Sequence, residues 1–119
     1  MDSPERTALR HIGAEILKRA ARIGAPRTLL PSLGRCTTDA HPGLLTDGQR
    51  YTLLRRERGV EVERFETEDE HELLYRIFCD VTLLMAIQDA SGAAPWPRQA
   101  ALLEALDPAW RARRAAERA

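Results

Sequence analysis

A chain of 119 residues lies in the usual single-domain range and can bury about two thirds of its unfolded surface, so a core needs no disulfides to hold it. Its two cysteines, Cys36 and Cys79, are 43 residues apart and form no CxxC pair, so they read as ordinary thiols in a reducing compartment. The eighteen basic and eighteen acidic residues cancel, but unevenly along the chain: residues 1–59 carry +5, residues 60–90 carry −7 and residues 91–119 carry +2. Such segregation concerns partners and solubility rather than fold.

The start, MDSPERTALRHIG, lacks the apolar core of a signal peptide, and the longest strongly apolar run, Val81 to Ile87, is far too short to cross a bilayer. The expectation is a soluble, cytoplasmic protein that touches no membrane. All but one of the basic residues are arginine, with Lys18 alone, a bias that reads as codon usage rather than guanidinium chemistry.

Ser3, Pro4 and Glu5 form an N-cap, a first-turn proline and a first-turn acid. Leu9, Ile12, Ile16, Leu17, Ala20 and Ile23 follow at helical spacing, and Gly24 and Pro26 end that helix. From Pro26 to Gly48 no period is sustained. Residues 28–34 have room for a short strand or a turn, and Leu44 and Leu45 before Thr46-Asp47-Gly48 read as the end of another short strand. Residues 50–55 and 60–66 then form a hairpin around Gly59. Val60 and Val62 alternate with Glu61 and Glu63, which predicts a strand with one wet face.

Thr67 and Glu70 have the spacing of a capping box, with Thr67 as N-cap and Glu70 reaching back to its amide. The helix beyond carries Leu73, Leu74, Ile77, Phe78, Val81, Leu84 and Met85 on one face, with Leu83 and Ile87 on the other side of its second half. A helix apolar on both sides is expected to be buried on both. Ser91-Gly92 ends it. Trp96-Pro97 starts a shorter helix bearing Ala100, Leu102, Leu103 and Leu106. Asp107-Pro108 launches a last one over Ala109 to Glu117, polar enough to fray. One domain over residues 1–119 is the expectation, with an α+β fold: an N-terminal helix, a small antiparallel β-meander, a long central helix and two short C-terminal helices.

Signatures of chemistry are missing. The seven glycines form no phosphate loop, and there is no HExxH and no paired-cysteine zinc pattern. Gathering Cys36, His41, His71 and Cys79 round one ion is disfavoured because His71 and Cys79 lie about 160° apart on one helix. No metal, cofactor or catalytic residue is expected. Cys36 with His41 is the one nucleophile–base pair to consider, and histidines near free thiols are common by chance. Asp80 flanks the apolar stripe, where a carboxylate is costly unless paired or hydrogen-bonded, so a salt bridge to a neighbouring arginine or a hydrogen bond to loop amides is a plainer reading than catalysis. Trp96 and Trp110 read as core, while Tyr75, off the main apolar face, is equally a candidate contact residue. Arg111, Arg113 and Arg114 have the charge to touch phosphates, yet no aromatic interleaving supports nucleic-acid binding.

Glu61, Glu63, Glu66, Glu68, Asp69, Glu70 and Glu72 fall within twelve residues against one base, Arg64. Helix-dipole and capping roles account for Glu68, Asp69 and Glu70. They do not account for the strand acids, whose mutual repulsion a basic partner would relieve.

The same region carries a resemblance. HELLYRIFCDVTLLMA (residues 71–86) is similar to a pattern in the immunity protein 63 family of bacterial polymorphic toxin systems, roughly DELLYW followed by a β-branched residue and F-x-D. RGVEVERFET (58–67), LDPAWRARRAAE (106–117) and DAHP (39–42) resemble further family segments, so that residues 39–118 are covered. Two positions depart from the pattern: Arg76 stands where an aromatic is expected and His71 where an acid is. The resemblance implies an α+β domain without catalysis that binds a cognate bacterial toxin domain in the producing cell, and it carries over no catalytic residues. On this reading Glu61, Glu63, Glu66, Asp69, Glu72 and Tyr75 are the candidate partner-binding residues. They form an acidic ridge that docks on a basic toxin surface, the phosphate-binding surface if the toxin is a nuclease. The alternative is a small nucleic-acid-binding or regulatory module using the Arg-rich terminal helices. An enzyme using Asp80, His41 or Cys36, and an adaptor without a toxin, are the other readings.

Overall fold

The computed structural model describes residues 3–37 and 40–119, so Asp39 of the DAHP segment lies outside the described residues. Helix α1 (Pro4–Ile23) begins where expected: the Ser3 side chain accepts a hydrogen bond from the Arg6 amide, and Gly24 closes the helix at φ 67°. A short 3-10 turn (Arg27–Leu29) leads to β1 (Ser32–Leu33), then β2 (Gly43–Thr46), β3 (Tyr51–Glu57) and β4 (Val60–Thr67). Helices α2 (Glu70–Ala90), α3 (Trp96–Leu106) and α4 (Pro108–Arg118) complete the chain, an α+β arrangement of helix, sheet and helices.

The sheet order is β1-β2-β3-β4. β2, β3 and β4 form the expected antiparallel meander, but β1 pairs in parallel with β2, so the sheet as a whole is mixed. Asp47 sets the β2–β3 turn by accepting from the amides of Gln49 and Arg50. The β3–β4 turn places Arg58 and Gly59 both at positive φ, the type I′ geometry that suits a two-residue hairpin. Gly43 is needed for a different reason: a side chain there would run into the backbone of Arg35 and Cys36.

α2 is the spine of the core. Leu73, Ile77, Phe78 and Val81 pack in one cluster with Ile12 and Ile16 of α1, Leu44 and Leu53 of the sheet, Leu102, Leu103 and Leu106 of α3, and Trp110 of α4. Gln99 of α3 donates to the Cys79 carbonyl and to Thr82 Oγ1, so a buried amide adds direction to apolar packing. Both cysteines are free, Cys79 inside and Cys36 half-buried. Among the described residues no helix is long and apolar enough to cross a membrane.

Several local expectations are corrected. Asp69, not Thr67, is the N-cap of α2, accepting from the amides of His71 and Glu72. Thr67 is still paired with Tyr51 in the sheet, so the helix cannot begin there, and its hydroxyl instead accepts from the Asp69 amide. Glu70 reaches His11 of α1 at 2.9 Å rather than turning back. Leu84 and Ile87 remain 43% and 54% exposed, so the second half of α2 is covered on one side only. Val60 and Val62 are exposed together with Glu61 and Glu63, because β4 is an edge strand whose first half is wet on both faces. α4, expected to fray, is helical to Arg118, with side-chain contacts to α2 and α3.

Candidate protein-binding surface

The hairpin, the entry to α2 and α4 form one continuous charged surface. On β4 the register steps past Val62, since Glu63 faces Arg55 whereas Glu61 faces Arg56. This irregularity divides the acids. Glu61 and Glu66 share Arg64, each at 2.7 Å, and Glu66 also approaches Arg50 at 3.5 Å. Glu63 turns toward α2, meeting Arg55 at 3.1 Å and Arg76 at 3.5 Å. The Arg64 guanidinium lowers the pKa of Glu61 by hydrogen bonding. The strand acids are therefore interleaved with arginines rather than gathered as bare negative charge. Mutual repulsion, the reason given above for a basic partner, is largely relieved within the chain.

At the helix entry Asp69 is occupied by its cap. Glu72 receives two parallel hydrogen bonds from Arg113 of α4, each 2.8 Å, which hold its carboxyl below the usual range. Glu117 accepts from the Tyr75 hydroxyl at 2.6 Å and from Arg113 and Arg114 at 3.3 Å. Tyr75 itself is buried at 4% exposure. Arg113 covers one side of its ring, 3.9 Å from the centroid, and Trp110 stands edge-on at 5.9 Å. Burial first, then the Glu117 contact, pushes its hydroxyl pKa up. As it stands, Tyr75 presents no face to a partner. It joins α2 to α4.

Trp110 donates its indole N–H to His71 Nε2 at 3.1 Å, and Arg118 lies over Trp96. All four arginines of α4 are thus engaged inside the chain, Arg111 through Glu104. Position 76 is exposed: Arg76 lies over the Phe65 ring, 5.3 Å from its centroid, in place of the aromatic that the resemblance led us to expect. Cys36, His41, His71 and Cys79 do not converge. Among the described residues the group close enough to share an ion is His11, Glu15 and Glu70, with ligand atoms within 4.8 Å. The 59-residue separation between His11 and Glu70 hid that group from any local reading.

Between β4 and α2 runs a cleft lined by Phe65, Glu63, Arg76, Asp80, Leu83 and Leu84, which continues toward Arg113 and Glu117. Asp80 keeps much of its surface open, yet its side chain lies in a concavity that thins its hydration. That burial raises its pKa, with the Glu63 charge adding to the effect and the charges of Arg76, Arg114 and Arg55 opposing it. Asp80 has no ion pair or hydrogen bond among the described residues, against the expectation of a salt bridge or a hydrogen bond to loop amides.

A family model described as immunity protein 63 matches residues 47–119, about three fifths of the chain. The chain belongs to the immunity protein 63 family. The resemblance seen in the sequence is thereby borne out. The matched segment starts in the β2–β3 turn and contains β3, β4 and α2 to α4, hence the charged surface and the cleft apart from Ala40 and Pro42. α1 lies outside the matched segment, although it supplies part of the same core. No curated protein and no solved structure matches the chain.

Proposed function

We propose that this chain neutralises a cognate toxin domain in the cytoplasm by binding it stoichiometrically and covering the surface through which the toxin acts, without catalysis of its own. Family membership over residues 47–119 carries this reading. The contact face is the edge strand β4 with the entry to α2, where Glu61, Glu63, Glu66, Asp69 and Glu72 all lie. Tyr75 supports that face from beneath.

Single exposed ion pairs are each worth at most about 1 kcal/mol, so a basic partner displaces Arg50 from Glu66 or Arg76 from Glu63 at little cost. The resident arginines meanwhile hold the carboxylates in fixed positions, which limits the ordering needed on association. If the toxin is a nuclease, the surface covered is the one that meets phosphates. The ion pairing of Arg111, Arg113 and Arg114 within the chain weighs against use of α4 in the nucleic-acid-binding alternative.

Titrating the toxin domain encoded by the neighbouring gene should abolish its activity at a one-to-one ratio, and protection well below that ratio would argue for turnover instead. The combined variant Glu61→Lys, Glu63→Lys, Glu66→Lys should slow association about tenfold at low salt and flatten its salt dependence. Unchanged association would remove β4 from the interface.

A further inference from the structure

The cleft beside α2 has a composition that the charged surface does not account for. Its main lobe, roughly 320 Å³, has Phe65 on the strand side, Leu83 and Leu84 on the helix side and Pro42 at one end. Two groups of charges border it. Arg55 and Arg76 are matched by Glu57 and Glu63, and Arg113 and Arg114 by Glu72 and Glu117. Each group is neutral in itself. Asp80 stands between them with no direct ion pair or hydrogen bond among the described residues, attracted only at longer range by Arg76, Arg114 and Arg55.

A partly desolvated carboxylate beside aliphatic and aromatic carbon is complementary to a side chain with a carbon stem and a cationic end. Apolar surface in the middle with charges round the rim is also the usual layout of a protein interface. Leu84 and the neighbouring Ile87, both exposed, extend that apolar surface along α2.

We propose that this cleft receives a lysine or arginine side chain of the toxin domain, its stem on Phe65, Leu83 and Leu84 and its charge on the Asp80 carboxylate. The proposal rests on the immunity reading above and gives that interface its anchor, at a place distinct from the strand acids. The cation replaces the hydration that Asp80 lacks, so its loss acts mainly on dissociation.

The test compares the wild type, Asp80→Asn and Leu84→Gln, each as the full chain, for binding kinetics with the toxin domain encoded by the neighbouring gene and for thermal melting alone. Asp80→Asn should weaken binding by at least about tenfold, through faster dissociation, while its Tm stays level or rises because an unpaired charge has gone. Leu84→Gln should weaken binding in the same sense without lowering Tm. If the wild type does not bind, the immunity reading falls and this proposal with it. If the wild type binds and Asp80→Asn binds equally well, the cleft alone is overturned. A lower Tm with unchanged affinity would show instead that Asp80 pairs with Arg76 or Arg114 in solution, which also overturns it.

Discussion

Asp69 and Thr67 are two residues apart, both able to cap a helix, and only one of them does. The difference is decided by the sheet, because Thr67 is the last ladder residue of β4 and its backbone is already committed to Tyr51. Asp69→Ala should therefore cost about 1 kcal/mol of stability by chemical denaturation, and Thr67→Ala clearly less. The sequence at this point was legible as a helix start but not to the residue, since capping chemistry is local and the competing strand pairing is not. The same holds for Tyr75. Its helical position suggested a flank, but Glu117 and Trp110, 42 and 35 positions away, close over it. Ser3, Asp107 and the Asp47 turn were readable because cap and capped amide lie within three residues of each other.

Among the elements, α2 shows how far periodicity reaches. It identified the face bearing Leu73, Ile77 and Phe78, but it also implied burial for Leu84 and Ile87, which the described residues leave 43% and 54% exposed. Apolarity reports a preference for leaving water and does not say whether the covering surface belongs to the same chain. Phe78→Ala should cost about 3–5 kcal/mol, as expected for a large core side chain, whereas Ile87→Ala should change stability by no more than about 0.5 kcal/mol. Equal costs would mean that the outer stripe is covered in the isolated protein. β4 makes a related point: alternation of Val and Glu marked it as a strand, while its place at the sheet edge, wet on both sides, depended on the strand order.

For the whole molecule, the sequence charge profile and the folded surface differ. A segment of −7 becomes a lattice of short ion pairs once β3, α2 and α4 bring their arginines to it. Hydrogen bonds lower the pKa of Glu61, Glu72 and Glu117, so these groups stabilise the fold above their ordinary titration range and lose that contribution as pH falls through the lowered values. Tyr75 acts at the other end. Its raised pKa means that the unfolded chain ionises first, and stability falls as pH rises above about 10. Tm should thus be level through neutral pH and decline below about pH 4.5 and above about pH 10. Glu72→Gln should make the acid limb shallower, and an acid limb identical to the wild type would show that the Arg113 pairing contributes nothing. Asp80, with its pKa raised, acts in the opposite sense: its charge disfavours the fold at neutral pH, and that penalty disappears on acidification.

The indole N–H of Trp110, bound to His71 one residue before Glu72, gives the molecule an optical gauge at the border of its proposed contact face. Loosening of α4 from α2 would bring water to that indole and move its fluorescence to longer wavelength. A partner that levers α4 away from α2 would therefore register as a shift in the ultraviolet emission of the unlabelled protein.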